Sequence, residues 1–130
     1  MNYVLKNLPV RTEKPRNTGF TMAMDKGLSL RETEDFVDSC ADFVDIVKFG
    51  WATSYVTKRL KEKIAVYQEA GIPVYFGGTL FEAFIVRGQF DDYRKVLDKF
   101  GMSYAEVSDG SIDLEHDKKL EYISKLSGQV

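Results

Sequence analysis

The sequence predicts an α/β chain built from four consecutive parallel βα units. Two observations carry this reading. From residue 19 onward one plan recurs four times: a short apolar stretch, a glycine-containing turn, and a segment with helical periodicity. Successive apolar stretches begin about 25 to 31 residues apart, the length of a strand plus a crossover helix, so the strands should run parallel with right-handed connections.

The first stretch, Gly19-Phe20-Thr21-Met22-Ala23-Met24, ends in Asp25-Lys26-Gly27. Its helix opens at Ser29-Leu30-Arg31-Glu32, a capping-box pattern, and Phe36, Val37, Cys40 and Ala41 fall at helical spacing to face the sheet. The second unit runs from Val44 to Trp51, with Lys48 inside it. Its helix should bury Leu60, Ile64 and Tyr67 and end at Gly71 as a left-handed cap. In the third, Ile72-Pro73-Val74-Tyr75-Phe76 leads into Gly77-Gly78-Thr79, and Thr79-Leu80-Phe81-Glu82 reads as a second capping box. Pro73 belongs at the strand's start, where its missing N–H breaks least of the ladder. The helical stretch breaks near Gly88, resumes through Phe90, Tyr93, Val96, Leu97 and Phe100, and stops at Gly101. The fourth unit is Tyr104-Ala105-Glu106-Val107-Ser108-Asp109-Gly110, with a helix that should bury Leu120, Ile123 and Leu126. Residues 1–18, rich in charge and proline, are expected to form an extended arm across one end of the sheet, and residues 19–130 a single domain.

Composition narrows the function classes. The 130 residues are 44% hydrophobic, enough for one compact core and cramped for two. Lys and Arg number 18 against 20 Asp and Glu, and the basic residues are scattered rather than gathered into a run, which argues against nucleic-acid binding. No apolar run approaches the roughly 20 residues of a membrane helix, and the N-terminus lacks an export-signal pattern. The one cysteine, Cys40, has no metal-ligand spacing around it and reads as a small buried hydrophobe. A cytoplasmic protein is expected.

In parallel α/β folds the chemistry gathers at the carboxyl ends of the strands. Those ends carry Asp25-Lys26-Gly27, Lys48-Phe49-Gly50-Trp51, Gly77-Gly78-Thr79 and Glu106-Val107-Ser108-Asp109-Gly110. Lys48 interrupts an apolar strand, where an unpaired ammonium would be costly. It is either solvated or paired at the rim, or an anion-binding or proton-donating lysine held by neighbouring carboxylates. Alternation sends Phe20, Met22 and Met24 toward the helices and Thr21, Ala23 and Asp25 inward, with Glu106 and Ser108 also inward. Asp25 and Glu106 could then share a hard cation, or form ion pairs with Lys26 or Lys48. Asp109 sits in a turn where aspartate is favoured for local hydrogen bonding. Gly77-Gly78-Thr79 ends a strand and opens a helix, a seat for phosphate or carboxylate, although GxGxxG and GxxxxGK[ST] are both absent. His116 reads as a surface residue, and Trp51 either walls a pocket or packs.

Taken in order, Lys14-Pro15-Arg16, Gly19-Phe20-Thr21-Met22, Asp25-Lys26-Gly27-Leu28, the segment from Val47 to Ser54, the segment from Gly77 to Glu82 and the segment from Glu106 to Gly110 resemble the phosphosulfolactate synthase family. The likeness runs from about residue 11 to the last residue. It implies a Mg²⁺-dependent enzyme on a TIM (βα)8 barrel that adds sulfite to phosphoenolpyruvate, giving (2R)-phospho-3-sulfolactate for coenzyme M biosynthesis. Under that resemblance Asp25 and Glu106 would hold Mg²⁺, and Lys26 and Lys48 would bind anionic groups, with Lys48 a proton donor. Gly77, Gly78, Thr79, Ser108 and Asp109 would line the substrate seat. Family members continue through four further units, the fifth strand ending in a Glu-Val-Gly segment followed by lysine, a candidate general acid. Ala52 stands where the family often has glycine.

A full barrel takes roughly 250 residues, so the resemblance makes this chain a parallel (βα)4 half of one, with part of a site and little activity alone. Open edges on the first and fourth strands lead to the expectation of a homo-oligomer. The rival readings are a non-catalytic half-barrel assembly unit and a small flavodoxin-like binding module.

Overall fold

A computed structural model describes residues 2–130. The element order is β1 (Met22–Asp25), α1 (Leu30–Cys40), β2 (Ile46–Phe49), α2 (Leu60–Glu69), β3 (Val74–Phe76), α3 (Gly78–Ile85), α4 (Phe90–Phe100) and α5 (His116–Leu126), with short 3₁₀ turns at Ala41–Phe43 and Thr53–Tyr55. The strands form one parallel sheet in the order β1-β2-β3. The register places Met24 beside Lys48 and Lys48 beside Tyr75, and on the other face Asp25 beside Phe49 and Phe49 beside Phe76.

Local chemistry explains most element ends. Ser29 and Glu32 make the expected capping box at α1, satisfying two of its orphan amides. Gly101 closes α4 at φ +61°, and Gly88 at φ +67° separates α3 from α4. Pro73 lies just before β3, where its carbonyl accepts the Val47 N–H at 2.9 Å.

The core lies on one side of the sheet. Val47, Phe49, Val74 and Phe76 pack against Ile64 and Tyr67 of α2, Leu80 and Phe81 of α3, and Tyr93 and Leu97 of α4. Edge-to-face ring contacts, such as Phe49 on Tyr67 at 6.1 Å and Phe81 on Tyr93 at 5.5 Å, tie strands to helices and α3 to α4. Among the described residues no helix covers the opposite face: Met22 and Met24 are 45% and 39% exposed.

Four expectations change. The facing of β1 is reversed, with Ala23 and Asp25 turned to the helices and Met22 and Met24 to the uncovered face, because Asp25 pairs with a buried lysine of α2. Second, α3 begins at Gly78 with Gly77 as its N-cap, so Thr79 caps nothing and Glu82 is free to bond elsewhere. Third, the fourth unit forms no strand; it meets the sheet through one parallel bridge, Phe76 to Ala105. Its later residues are held by side chains instead of a ladder. Last, Leu120 and Ile123 of α5 are exposed, since the helix docks through Tyr122, whose ring lies 4.5 Å from Phe90 and 5.6 Å from Phe81.

The segment before β1 is pinned at the amino ends of the strands. Arg16 reaches Asp45 at 2.5 Å, Arg11 donates to Thr21 Oγ1 and the Phe43 carbonyl, and Lys14 donates to the Ala41 carbonyl. The Thr21 N–H and then Arg16 hold the Asp45 carboxyl below its ordinary value, against the opposing effect of burial.

The contact that orients β1 is the Asp25–Lys63 pair. Lys63 Nζ lies 2.9 Å from Oδ1 and 2.8 Å from Oδ2 of Asp25 and donates to the Leu28 carbonyl. Tyr67 donates to Oδ2 at 2.9 Å, and the Gly27 and Leu28 amides donate to Oδ1. Burial, then the Asp25 charge, pushes the Tyr67 phenol well above its usual value, so it stays a donor. Removing one partner strands the other charge in the interior. Lys63→Met should therefore cost about 3–5 kcal/mol in denaturant unfolding, and Asp25→Asn combined with Lys63→Met should cost less than the sum of the two single changes. Strict additivity would remove the coupling.

Candidate functional site

Along the uncovered face, the register assembles polar groups that the core-facing residues cannot provide. Lys48 in β2 is flanked in sequence by buried Val47 and Phe49, so its side chain takes the opposite side, next to Tyr75. Because Ala105 bridges to Phe76, Glu106 follows on the Lys48 side. Lys48 Nζ meets Glu106 Oε1 at 2.9 Å and Oε2 at 2.7 Å, with both side chains partly exposed. Burial first, then the Glu106 charge, raises the Tyr75 phenol above its ordinary value. Tyr75 thus stays protonated near neutrality, a donor beside an ion pair.

The glycines make this packing possible. A Cβ at Gly77 would lie 2.8 Å from Lys48 Cε and 2.9 Å from the Phe49 carbonyl. At Gly78 it would lie 2.3 Å from Ser108 Cβ and 2.9 Å from Glu106 Oε1. No side chain fits either place without displacing the cluster. As the opening residues of α3, Gly78 and Thr79 also carry amides with no intrahelical acceptor, at the positive end of the helix dipole.

Glu82, on the next turn of α3 and buried, organises the 108–111 turn. It accepts from the hydroxyls of Ser108 and Ser111, from the Gly110 amide at 2.7 Å and from the Ser111 amide at 3.3 Å. Burial pushes the Glu82 carboxyl up, yet the bonds from Ser108, Ser111 and Gly110 prevail and hold it below its ordinary value.

The residues expected at the rim come together only in part. Lys48, Gly77, Gly78, Glu106 and Ser108 come together. Thr79 is exposed at the start of α3. Lys26 stands apart, its ammonium 4.7 Å from the centre of the Trp51 ring, and Trp51 is itself exposed rather than packed. Asp109 is engaged by Lys119 of α5 at 2.7 Å, which holds its carboxyl low. Asp25 points into the helix layer and Glu106 to the opposite face, so the two carboxylates do not meet.

That placement bears on magnesium, which needs several free oxygen ligands. Both Asp25 oxygens already accept from Lys63, Tyr67 and two amides, and Glu106 is occupied by Lys48. The pair does not fit a shared Mg²⁺. Among the described residues, no group of three or more His, Cys, Asp or Glu side chains is arranged to hold a metal ion.

Three contributors escape the sequence reading: Lys63, Tyr75 and Glu82. Lys63 had a visible signal, since it occupies the apolar stripe of Leu60, Ile64 and Tyr67, where a charge demands a buried partner. Tyr75 shares the strand parity of Lys48 once the register is known. Glu82 reads as half of a capping box, and nothing local tells that its carboxylate serves a turn 26 residues on.

The sign of the Glu82 effect on pH follows from its lowered folded-state value. Its stabilising contribution is complete above the ordinary value of 4.5 and is lost as pH falls through the folded value. Thermal unfolding from pH 7 down to pH 3 should show a loss of Tm that is smaller in Glu82→Gln, and parallel profiles for the two proteins would remove Glu82 as the cause.

The family model for (2R)-phospho-3-sulfolactate synthase (ComA) matches residues 9–130. The phosphosulfolactate synthase of Bacillus subtilis (strain 168) is 39% identical over 129 residues, covering 99% of this chain and 51% of the relative. That of Methanocaldococcus jannaschii is 43% identical over 109 residues, covering 82% and 43%, and that of Methanothermobacter thermautotrophicus 34% over 117 residues, covering 88% and 45%. The chain spans about half the length of the curated relatives it matches. With the ordered turns, the parallel sheet and this extent of identity, the chain belongs to the phosphosulfolactate synthase family.

Proposed function

We propose that this chain supplies the first half of a (βα)8 barrel whose intact form adds sulfite to phosphoenolpyruvate, giving (2R)-phospho-3-sulfolactate. The observation that carries the reading is the Lys48–Glu106 pair on a helix-free sheet face, walled by Gly77 and Gly78. A parallel sheet is ordinarily covered on both faces, and here the polar cluster occupies the side that a closed barrel would enclose.

The reaction forms a carbon–sulfur bond at the methylene carbon while the π pair moves toward the substrate carboxylate. The resulting enediolate-like species then takes a proton at the phosphate-bearing carbon. Cations and amides that meet the growing charge lower the barrier. Lys48 has three N–H donors, and Glu106 occupies part of that capacity, leaving one for a substrate oxyanion. Glu106 aims the ammonium, and Tyr75 adds a neutral donor. The amides of Gly78 and Thr79 suit the phosphate or carboxylate. Ser108 lines the same wall, while Lys26 and Asp109 stand outside the cluster, against Trp51 and Lys119. The family resemblance supports a Mg²⁺ requirement; the ligands would have to come from residues other than Asp25, and the steps here use only this chain's side chains.

In the intact protein, Lys48→Met should lower turnover at least about 100-fold with phosphoenolpyruvate, sulfite and Mg²⁺, the product read by phosphorus NMR. The unaltered chain of 130 residues should give little product. Near-normal rates for the variant would remove Lys48 from the mechanism, and robust turnover by the chain alone would show that its own residues suffice.

Self-association is part of the same reading, because β1 is an open edge and Met22 and Met24 are exposed beside it. Light scattering on the 130-residue chain at micromolar concentration should give a dimer or larger species. A monodisperse monomer would overturn this.

A further inference from the structure

On the outer side of the rim, the turn after β1 and the turn before α2 enclose a groove of about 710 Å³. Its lining brings Lys26 from the end of β1, Arg31 from the first turn of α1, and Lys58 and Arg59 from the approach to α2. The single lining carboxylate, Glu32, is committed to the Ser29 amide in the α1 capping box. Four cations against one carboxylate is a local excess in a chain whose net charge is −2. Arg59 also pairs with Glu62, which lies outside the lining.

The two helices that border the groove differ at their starts. At α1, Ser29 and Glu32 satisfy the opening amides, whereas α2 begins after Arg59 with no side-chain cap. The first amides of α2 therefore keep their donor capacity, and the dipole adds to the positive field. The Thr53 and Thr57 hydroxyls in the wall already donate to the Gly50 and Thr53 carbonyls, which leaves the cationic side chains to meet a ligand.

We propose that this groove is a second anion-binding site, apart from the Lys48–Glu106 face, that takes a small phosphorylated or sulfonated polyanion. Cations enter it from three directions, so a ligand with more than one charged group engages them best. A compact monoanion reaches only one side.

The only tryptophan, Trp51, lies under Lys26 at 4.7 Å and reports on the groove. Inorganic pyrophosphate, titrated at constant ionic strength, should change Trp51 fluorescence saturably and protect Lys58 from acetylation, read by mass spectrometry. Arg31→Gln with Lys58→Gln should weaken the binding by about tenfold or more, while Lys95→Gln with Lys99→Gln on α4 should leave it unchanged. A non-saturating response overturns the proposal. So does unchanged affinity in the Arg31/Lys58 variant, or saturation without protection of Lys58 in the unaltered chain. Loss of binding in Lys48→Met but not in the Arg31/Lys58 variant would place the anion on the sheet face instead and equally overturn it.

Discussion

Asp25 and Lys63 meet where the first strand runs out, and the sense of the whole sheet follows from that contact. Once the carboxylate turns to α2, strand parity forces Ala23 to the same side and sends Met22 and Met24 to the other. The register then carries the choice across to β2 and β3, aligning Asp25 with Phe49 and Phe76 in the covered layer. Lys48 and Tyr75 are left together on the bare face. The same pair also anchors the turn after β1, because Lys63 holds the Leu28 carbonyl and Asp25 the amides of Gly27 and Leu28.

The chemistry of the bare face rests on what is missing as much as on what is present. Gly77 and Gly78 leave room for Lys48, Glu106 and Ser108 to close against the start of α3. The glycines that the sequence marks as a turn are required here for packing, since a Cβ at either one would collide with the cluster. Ala52 makes the contrasting case. It stands at φ +55° next to Trp51 at φ +50°, a left-handed backbone that a Cβ strains and glycine would adopt freely.

How far the sequence could be read depended on the range of the interactions. Helix ends written in adjacent residues, such as Ser29 with Glu32 or Gly101 after α4, were legible because the partners lie within one turn. The order of the first three βα units and the grouping of Lys48 with Glu106 were legible because parallel strand ends converge. The facing of β1 was not, since apolar Phe20, Met22 and Met24 point one way by hydropathy and one buried ion pair, 38 residues apart in sequence, points the other. The same reason hid Glu82, whose partners lie beyond α4, and it left Asp25 looking like a metal ligand.

The fourth unit touches the sheet through one bridge, and its further polar attachment is the Lys48–Glu106 pair, the Lys119–Asp109 pair and the set of bonds Glu82 accepts from residues 108–111. A ladder shares its loss among many backbone bonds, whereas this attachment rests on a few side chains, Glu82 foremost. Residues 104–111 can therefore open as a small unit of their own while the three-stranded sheet stays closed. Since Glu106 belongs to that unit, the cost of local opening sets how often Lys48 stands without its partner. The electrostatics of the bare face are in that sense governed from inside α3.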